Sequence, residues 1–141
     1  MTTRSIPHLI IGFGKAGKTL AADLAKHGES VILVEQSAAM YGGTCINIGC
    51  IPSKLLLVEG EKSARLTDKS AAFQAAMQRR EQLTSALRAA NYNKLATIPG
   101  VEILTGTARF LSPNVVEVST EDGACQIEAE RIYINTGARP A

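Results

Sequence analysis

The run His8-Leu9-Ile10-Ile11 leads straight into Gly12-Phe13-Gly14-Lys15-Ala16-Gly17, and this junction constrains the fold more than any other stretch. A short apolar strand followed by GxGxxG requires a tight turn into a helix. Lys18 to His27 supplies the helical pattern, with Ala16, Leu20 and Leu24 recurring along one face. Gly28 stands where a helix C-terminal glycine belongs. Val31-Ile32-Leu33-Val34 reads as a second strand buried on both faces, ending at Glu35. Together these residues make a β–α–β dinucleotide-binding unit. In such a unit Gly12 makes the turn, Gly14 lets backbone approach a pyrophosphate, and Gly17 lets the helix pack on the strand. The helix N-terminus offers N–H groups and partial positive charge to the pyrophosphate, and Glu35 offers its carboxylate to an adenosine ribose. The motif alone does not choose between NAD and FAD.

The second constraint is Gly42-Gly43-Thr44-Cys45-Ile46-Asn47-Ile48-Gly49-Cys50-Ile51-Pro52-Ser53-Lys54, which holds two of the three cysteines. Two cysteines this close form a metal pair, a structural staple or a redox couple. On an unbroken α-helix their Cα atoms would stand roughly 8.7 Å apart, whereas a disulfide needs about 4.4–6.8 Å. A bridge here therefore requires an interrupted helix, and Gly49 supplies the backbone freedom for one. The Cys-x-x-Cys knuckle of a structural zinc site is absent, the only histidines are His8 and His27, and Cys125 stands alone. A redox dithiol fits these residues better than a metal pair, and no metal ligand set is expected.

The same thirteen residues, Gly-Gly-Thr-Cys-x-Asn-x-Gly-Cys-x-Pro-Ser-Lys, resemble the redox-disulfide signature of the class I pyridine nucleotide–disulfide oxidoreductases. That family includes glutathione reductase, dihydrolipoamide dehydrogenase and mercuric reductase. The resemblance implies FAD on the first β–α–β unit, with Gly43 and Thr44 against the flavin side. It implies that Lys54 sits near the isoalloxazine ring, where a cation favours the reduced anionic flavin. It also implies that Cys50 is the flavin-proximal, charge-transfer thiol and Cys45 the interchange thiol that attacks substrate. Phe13, Lys15 and Lys18 depart from the small or apolar residues of many family members, and the two lysines are expected to be solvated.

The remaining chain reads as follows. Ser53 to about Glu61 continues the helix behind the cysteines, weakened by Gly60, and Leu66-Thr67-Asp68 breaks it. Lys69 to about Leu95 is helical again, with Phe73 and Met77 expected in the core and Arg79, Arg80 and Arg88 on a solvated face. Ile98-Pro99-Gly100 turns into the strand Val101–Leu104. Val115–Val118 and Cys125–Ala129 alternate as an antiparallel meander, with Cys125 a small half-buried side chain. Ile132 to Ile134 is a strand returning to the main sheet. By the same resemblance, Ala108 in Gly106–Phe110 meets the adenine, and Thr136 and Gly137 form a second FAD segment. That segment usually reads Ala-Thr-Gly; here Asn135 takes its first position. The expected class is therefore α/β, a Rossmann-like FAD-binding parallel sheet with a small antiparallel β-meander.

With 141 residues, 45% apolar, 20% charged and a net charge of +2, the chain suits one globular domain with no nucleic-acid footprint. No apolar run approaches the ~20 residues of a membrane span, residues 1–7 hold no apolar leader core, and a cytoplasmic location is the default. The resemblance covers residues 1–141 but matches only the front of the family's chain. It implies the N-terminal part of an FAD-binding domain, without the NAD(P)H domain, the third FAD segment or the dimerisation domain with its His–Glu acid–base pair. An unpaired sheet edge is expected, and the piece alone is not expected to complete turnover. The implied parent is a homodimeric enzyme passing electrons from NAD(P)H through FAD and the Cys45–Cys50 disulfide to an oxidised small molecule or disulfide. The glycine loop, Glu35-Gln36-Ser37 and Met40-Tyr41 look most like the bacterial reactive-chlorine-resistance flavoproteins, which reduce species such as hypothiocyanous acid. Mercuric reductase and dihydrolipoamide dehydrogenase types are alternatives. A non-catalytic FAD-binding fragment and a protein binding soft metals through Cys45 and Cys50 are readings of a different class.

Overall fold

The computed structural model describes residues 3–138; Met1, Thr2 and residues 139–141 of the expected 1–141 unit lie outside it. Strand β1 (Thr3–Ile11) leads through the glycine turn to helix α1 (Lys15–Lys26) and strand β2 (Val31–Glu35). A 3-10 turn (Ala38–Met40), the one-turn helix α2 (Thr44–Asn47), α3 (Cys50–Ser63) and the long α4 (Lys69–Ala96) follow. Strands β3 (Val101–Thr105), β4 (Thr107–Ser112), β5 (Val115–Thr120) and β6 (Gly123–Ile134) complete one six-stranded sheet in the order β3-β2-β1-β6-β5-β4. The β3-β2-β1-β6 part is parallel and the β6-β5-β4 part antiparallel.

The expected strands Cys125–Ala129 and Ile132–Ile134 are one element. β6 pairs with β5 over Gly123–Glu128 and with β1 over Gln126–Ile134, so one twelve-residue strand joins meander to parallel sheet. Nothing in that stretch interrupts an extended backbone, and the change of partner needs no turn.

Alternation along the central strands sorts two cores. Leu9, Ile32 and Val34 face Val116, Val118, Ile127 and Ala129, so the meander covers one face of the parallel sheet. Ile10, Val31 and Leu33 point the other way, toward Phe13, Ala21 and Leu95 beneath α1 and α4. Burial on both faces is why β1 and β2 read as unbroken apolar runs.

Helix α1 begins at Lys15, three residues before the expected start, because the glycine turn itself winds into the helix and Lys18 N–H donates to Gly14 O at 3.0 Å. Gly17 and Ala21 form its buried stripe, while Ala16 is exposed. Helix α3 runs through Gly60, which meets no neighbouring group. Asp68 ends the break after it by accepting from Ala71 N–H at 2.9 Å as the α4 cap. Phe73, expected in the core, is 62% exposed, and Met77 is only half-buried. The amino-terminal part of α4 lies beside α3 rather than over the sheet, and one helical neighbour covers only a narrow stripe. There Arg79 pairs with Glu59 at 2.6 Å.

Arg4 precedes the part of β1 that pairs with β2, which starts opposite His8. Its guanidinium reaches past β2 to make a two-pronged ion pair with Glu102 of β3. The hydrogen bond from Arg4 holds the Glu102 pKa below its ordinary value. A depressed carboxylate contributes stability above its unfolded pKa and loses it as pH falls through the folded one. Glu102→Gln is therefore expected to lower stability at neutral pH by about 0.5 kcal/mol, as befits a half-exposed pair. In thermal unfolding the gap between variant and parent should close as pH falls below the ordinary carboxylate range.

Candidate functional site

The carboxyl ends of β1, β2 and β6 open onto a cleft of about 880 Å³. A site at that end of a parallel sheet is where open α/β folds bind ligands, and the volume lies within the range of cofactor clefts. Gly12 and Gly14 form its floor with the start of α1, Glu35 stands at the end of β2, and Gly43, Thr44 and Cys45 form the opposite wall. Gly106, Asn135, Thr136 and Gly137 close the side beside β6.

Two close backbone approaches make this cradle. A Cβ on Gly17 would stand 2.5 Å from Gly12 O and 2.6 Å from the Asn135 amide nitrogen. A Cβ on Gly43, whose φ is +86°, would stand 2.7 Å from Gly14 Cα. The glycine turn and the cysteine segment therefore touch backbone to backbone, with no side chain between them. The first-turn N–H groups of α1 have no intrahelical partner, and they begin at this floor. The cradle fits an extended dinucleotide with its pyrophosphate at the turn.

Glu35 is buried, and its carboxylate is held by the chain itself. Oε2 accepts from Phe13 N–H at 2.9 Å and Oε1 from Ser37 N–H at 3.2 Å. A carboxylate has about four lone-pair sites, so these bonds orient it and leave capacity for ribose hydroxyls.

The cysteine segment breaks where expected. α2 ends at Asn47, Gly49 N–H donates to Thr44 O at 2.7 Å, and α3 starts at Cys50. Cys45 and Cys50 are both free and exposed, and Cys45 lines the cleft. Interaction with Cys50 pushes the Cys45 pKa up. Cys50 takes the first position of α3, among the unpaired N–H groups of a helix start.

Of the residues singled out from the sequence, Gly12, Gly14, Glu35, Gly43, Thr44, Cys45, Thr136 and Gly137 line the cleft. Gly17 lies beneath its floor, and Cys50 is outside the lining. Lys54 is exposed on α3 and outside the lining. Ala108 packs against the meander core, and Gly106 is the residue of that segment on the wall.

Four residues contribute more than the sequence suggested. Asn135 Nδ2 donates to Gly12 O at 3.1 Å and fills the space beside Gly14 and Gly17. Phe13 is fully buried and stacks on Tyr41 at 5.4 Å, which stacks on Tyr92 at 4.7 Å. Lys18, expected in solvent, donates instead to Asn91 Oδ1 at 2.6 Å, and Arg88 Nε donates to Asn47 Oδ1 at 2.9 Å. The departures at Phe13, Lys18 and Asn135 were the available signal; their partners lie 28 to 123 residues away.

Residues 6–141 match the family model described as pyridine nucleotide-disulphide oxidoreductase. The chain is 47% identical over 131 residues to the probable pyridine nucleotide-disulfide oxidoreductase RclA of Escherichia coli, covering 93% of this chain and 28% of that protein. It is 37% identical over 144 residues to a mercuric reductase of Streptomyces lividans, covering 93% of this chain and 30% of the relative. A solved structure described as the HOCl-induced flavoprotein disulfide reductase RclA from Escherichia coli superposes with a TM-score of 0.85 at 45% identity, over 96% of this chain and 29% of that one. The chain thus spans under a third of the length of these relatives.

The Asn135 strut can be tested directly. Asn135→Ala leaves the Gly12 carbonyl without its donor and a gap under the turn, and is expected to cost about 1–3 kcal/mol. Gly17→Ala should cost at least as much, since its clash is with backbone. Thermal unfolding of both variants checks this, and melting temperatures equal to the parent's would refute the strut.

Proposed function

The chain belongs to the pyridine nucleotide-disulphide oxidoreductase family, and on that premise we propose that it forms the FAD and redox-disulfide part of a flavoprotein disulfide oxidoreductase. The observation that carries this reading is the contact of Gly43 with Gly14. It places the dithiol segment on the wall of the same cleft whose floor is the dinucleotide turn.

In this reading Gly12, Gly14 and the first turn of α1 hold the pyrophosphate and Glu35 the ribose. Gly43, Thr44, Thr136 and Gly137 hold the remaining length of FAD, with Gly106 and Ala108 from the adenine-side segment. When bound, FAD would supply the electron pair that NAD(P)H donates in the complete enzyme. The Cys45–Cys50 disulfide takes up two electrons and one proton, its S–S bond breaks, and a thiol and a thiolate remain. In this reading, as the family resemblance implies, Cys50 holds the thiolate nearest the flavin and Cys45 the thiol. Cys45, which lines the cleft, loses its proton and attacks the oxidised substrate with expulsion of a leaving group; Cys50 then attacks the Cys45–substrate adduct, which releases the reduced substrate and regenerates the disulfide. The resemblance would set Lys54 near the flavin ring, whereas here its side chain is exposed on α3 and outside the cleft lining.

The proposed substrate is a small thiol-reactive oxidant such as hypothiocyanous acid, by likeness to the HOCl-induced RclA. Mercuric ion and dihydrolipoamide are the alternatives. NADPH or NADH as donor, a homodimer and a cytoplasmic location accompany the proposal; no helix among the described residues is long and apolar enough to cross a membrane. Among the described residues no group of three or more His, Cys, Asp or Glu side chains gathers to hold a metal ion.

The absorption spectrum of the purified protein tests the assignment, recorded before and after stoichiometric dithionite. Visible flavin bands with a long-wavelength shoulder on two-electron reduction are expected, and the shoulder should vanish in Cys50→Ser. Cys45→Ser in the complete enzyme should keep the flavin and lose disulfide-dependent turnover. Undiminished turnover in that variant would remove Cys45 from the mechanism.

A further inference from the structure

Lys18 is the fourth residue of α1, yet its side chain crosses to α4. Nζ donates to Asn91 Oδ1 at 2.6 Å and stands 3.4 Å from Gly42 O. Asn91 cannot turn away freely, because its Nδ2 donates to Leu87 O at 2.8 Å, one helical turn back. Gly42 rests on the same asparagine, with the position of a Gly42 Cβ 3.4 Å from Asn91 Cβ. One ammonium thus joins the phosphate helix, the long helix and the cysteine segment three residues before Cys45.

The other side of Cys45 is held from the same face of α4. Arg88 Nε donates to Asn47 Oδ1, and Asn47 Nδ2 donates to Gly43 O at 2.9 Å and Tyr41 O at 3.0 Å. Among the described residues neither Lys18 nor Arg88 has a carboxylate at ion-pair distance. Uncompensated cations held by neutral amides beside a thiol pair have no use as ion pairs. They do have a use if an anion forms there.

We propose that Lys18, anchored by Asn91, is a positioning residue whose charge favours the thiolate from which Cys45 attacks its substrate. This rests on the redox reading of Cys45 and Cys50. The charged and titratable groups around this segment are Lys15 and Glu35, which line the cleft with Cys45, Cys50 of α3, Lys18 against Gly42 O, Lys94 beside Lys18, and Arg88 behind Asn47. Interaction with Cys50 raises the Cys45 pKa, while Lys18 acts in the opposite direction. Burial first, then Lys15 and more weakly Lys94, lower the Lys18 pKa, and a charge at Cys45 counters them. Each of the two groups therefore supports the charged form of the other. The anchor matters because a free lysine at this exposed rim would spread its charge through solvent.

The test is the pH–rate profile for iodoacetamide alkylation of Cys45, measured in the protein carrying Cys50→Ser and Cys125→Ser. Lys18→Gln keeps a polar group for Asn91 and removes the charge. Its alkylation at neutral pH should be about three- to tenfold slower, with the profile displaced to higher pH and the same plateau. Lys18→Arg should restore the parental profile. A Lys18→Gln profile that coincides with the parent's overturns the proposal. So does slowing by one factor at every pH, which would mean altered access. Should Lys18→Gln fail to fold, Asn91→Ala keeps the charge and releases its anchor; a displacement in the same direction supports the proposal and an unmoved profile overturns it. Failure of the redox reading appears separately, as inability of the parental Cys45 and Cys50 to form a reversible disulfide.

Discussion

The site depends on β6 lying parallel beside β1, with Ile11 opposite Ile134. That register delivers Asn135 to the glycine turn, where its N–H donates to Ile11 O at 2.8 Å and its side chain to Gly12 O. The turn is then supported from below by a residue more than a hundred positions away. Only small residues fit above it: the missing side chains of Gly12, Gly14 and Gly17 are the space that Asn135 occupies. A slip of one residue would carry every β6 side chain to the opposite face and remove that support.

From this floor the cysteine segment is placed by three kinds of contact acting together. Backbone packing of Gly43 on Gly14 sets the distance, the Phe13–Tyr41–Tyr92 stack sets the approach, and Lys18, Arg88, Asn47 and Asn91 fix the orientation. The long helix α4 takes part in both the stack and the polar network. It is a brace behind the cysteines, which accounts for polar residues on a face that a simple core helix would fill with aliphatic ones.

Much of the fold was legible because it depends on local or periodic features. The unbroken apolar character of Val31–Val34 reports burial on two faces, and the glycine spacing at 12, 14 and 17 reports a strand-to-helix turn. The break at Gly49 follows from the incompatibility of an intact helix with a close cysteine pair. What misled was equally local. Phe73 and Met77 have the spacing of a buried stripe, but spacing records which side chains share a face and not whether anything covers it. The meander and returning strand looked separate because the hydrophobic pattern changes when β6 exchanges β5 for β1 as its neighbour.

By itself the sequence determined the β–α–β unit, the dinucleotide turn and the broken helix carrying Cys45 and Cys50, since each follows from covalent geometry and short-range backbone sterics. Tertiary structure alone decided that the glycine turn and Cys45 share one cleft, that Asn135 holds the floor, and that Lys18 points to Asn91 rather than to water. These are relations between segments far apart in the chain, and a side chain's charge or hydrogen-bonding capacity does not name its partner. The partner is chosen when sheet register and helix packing bring one within reach.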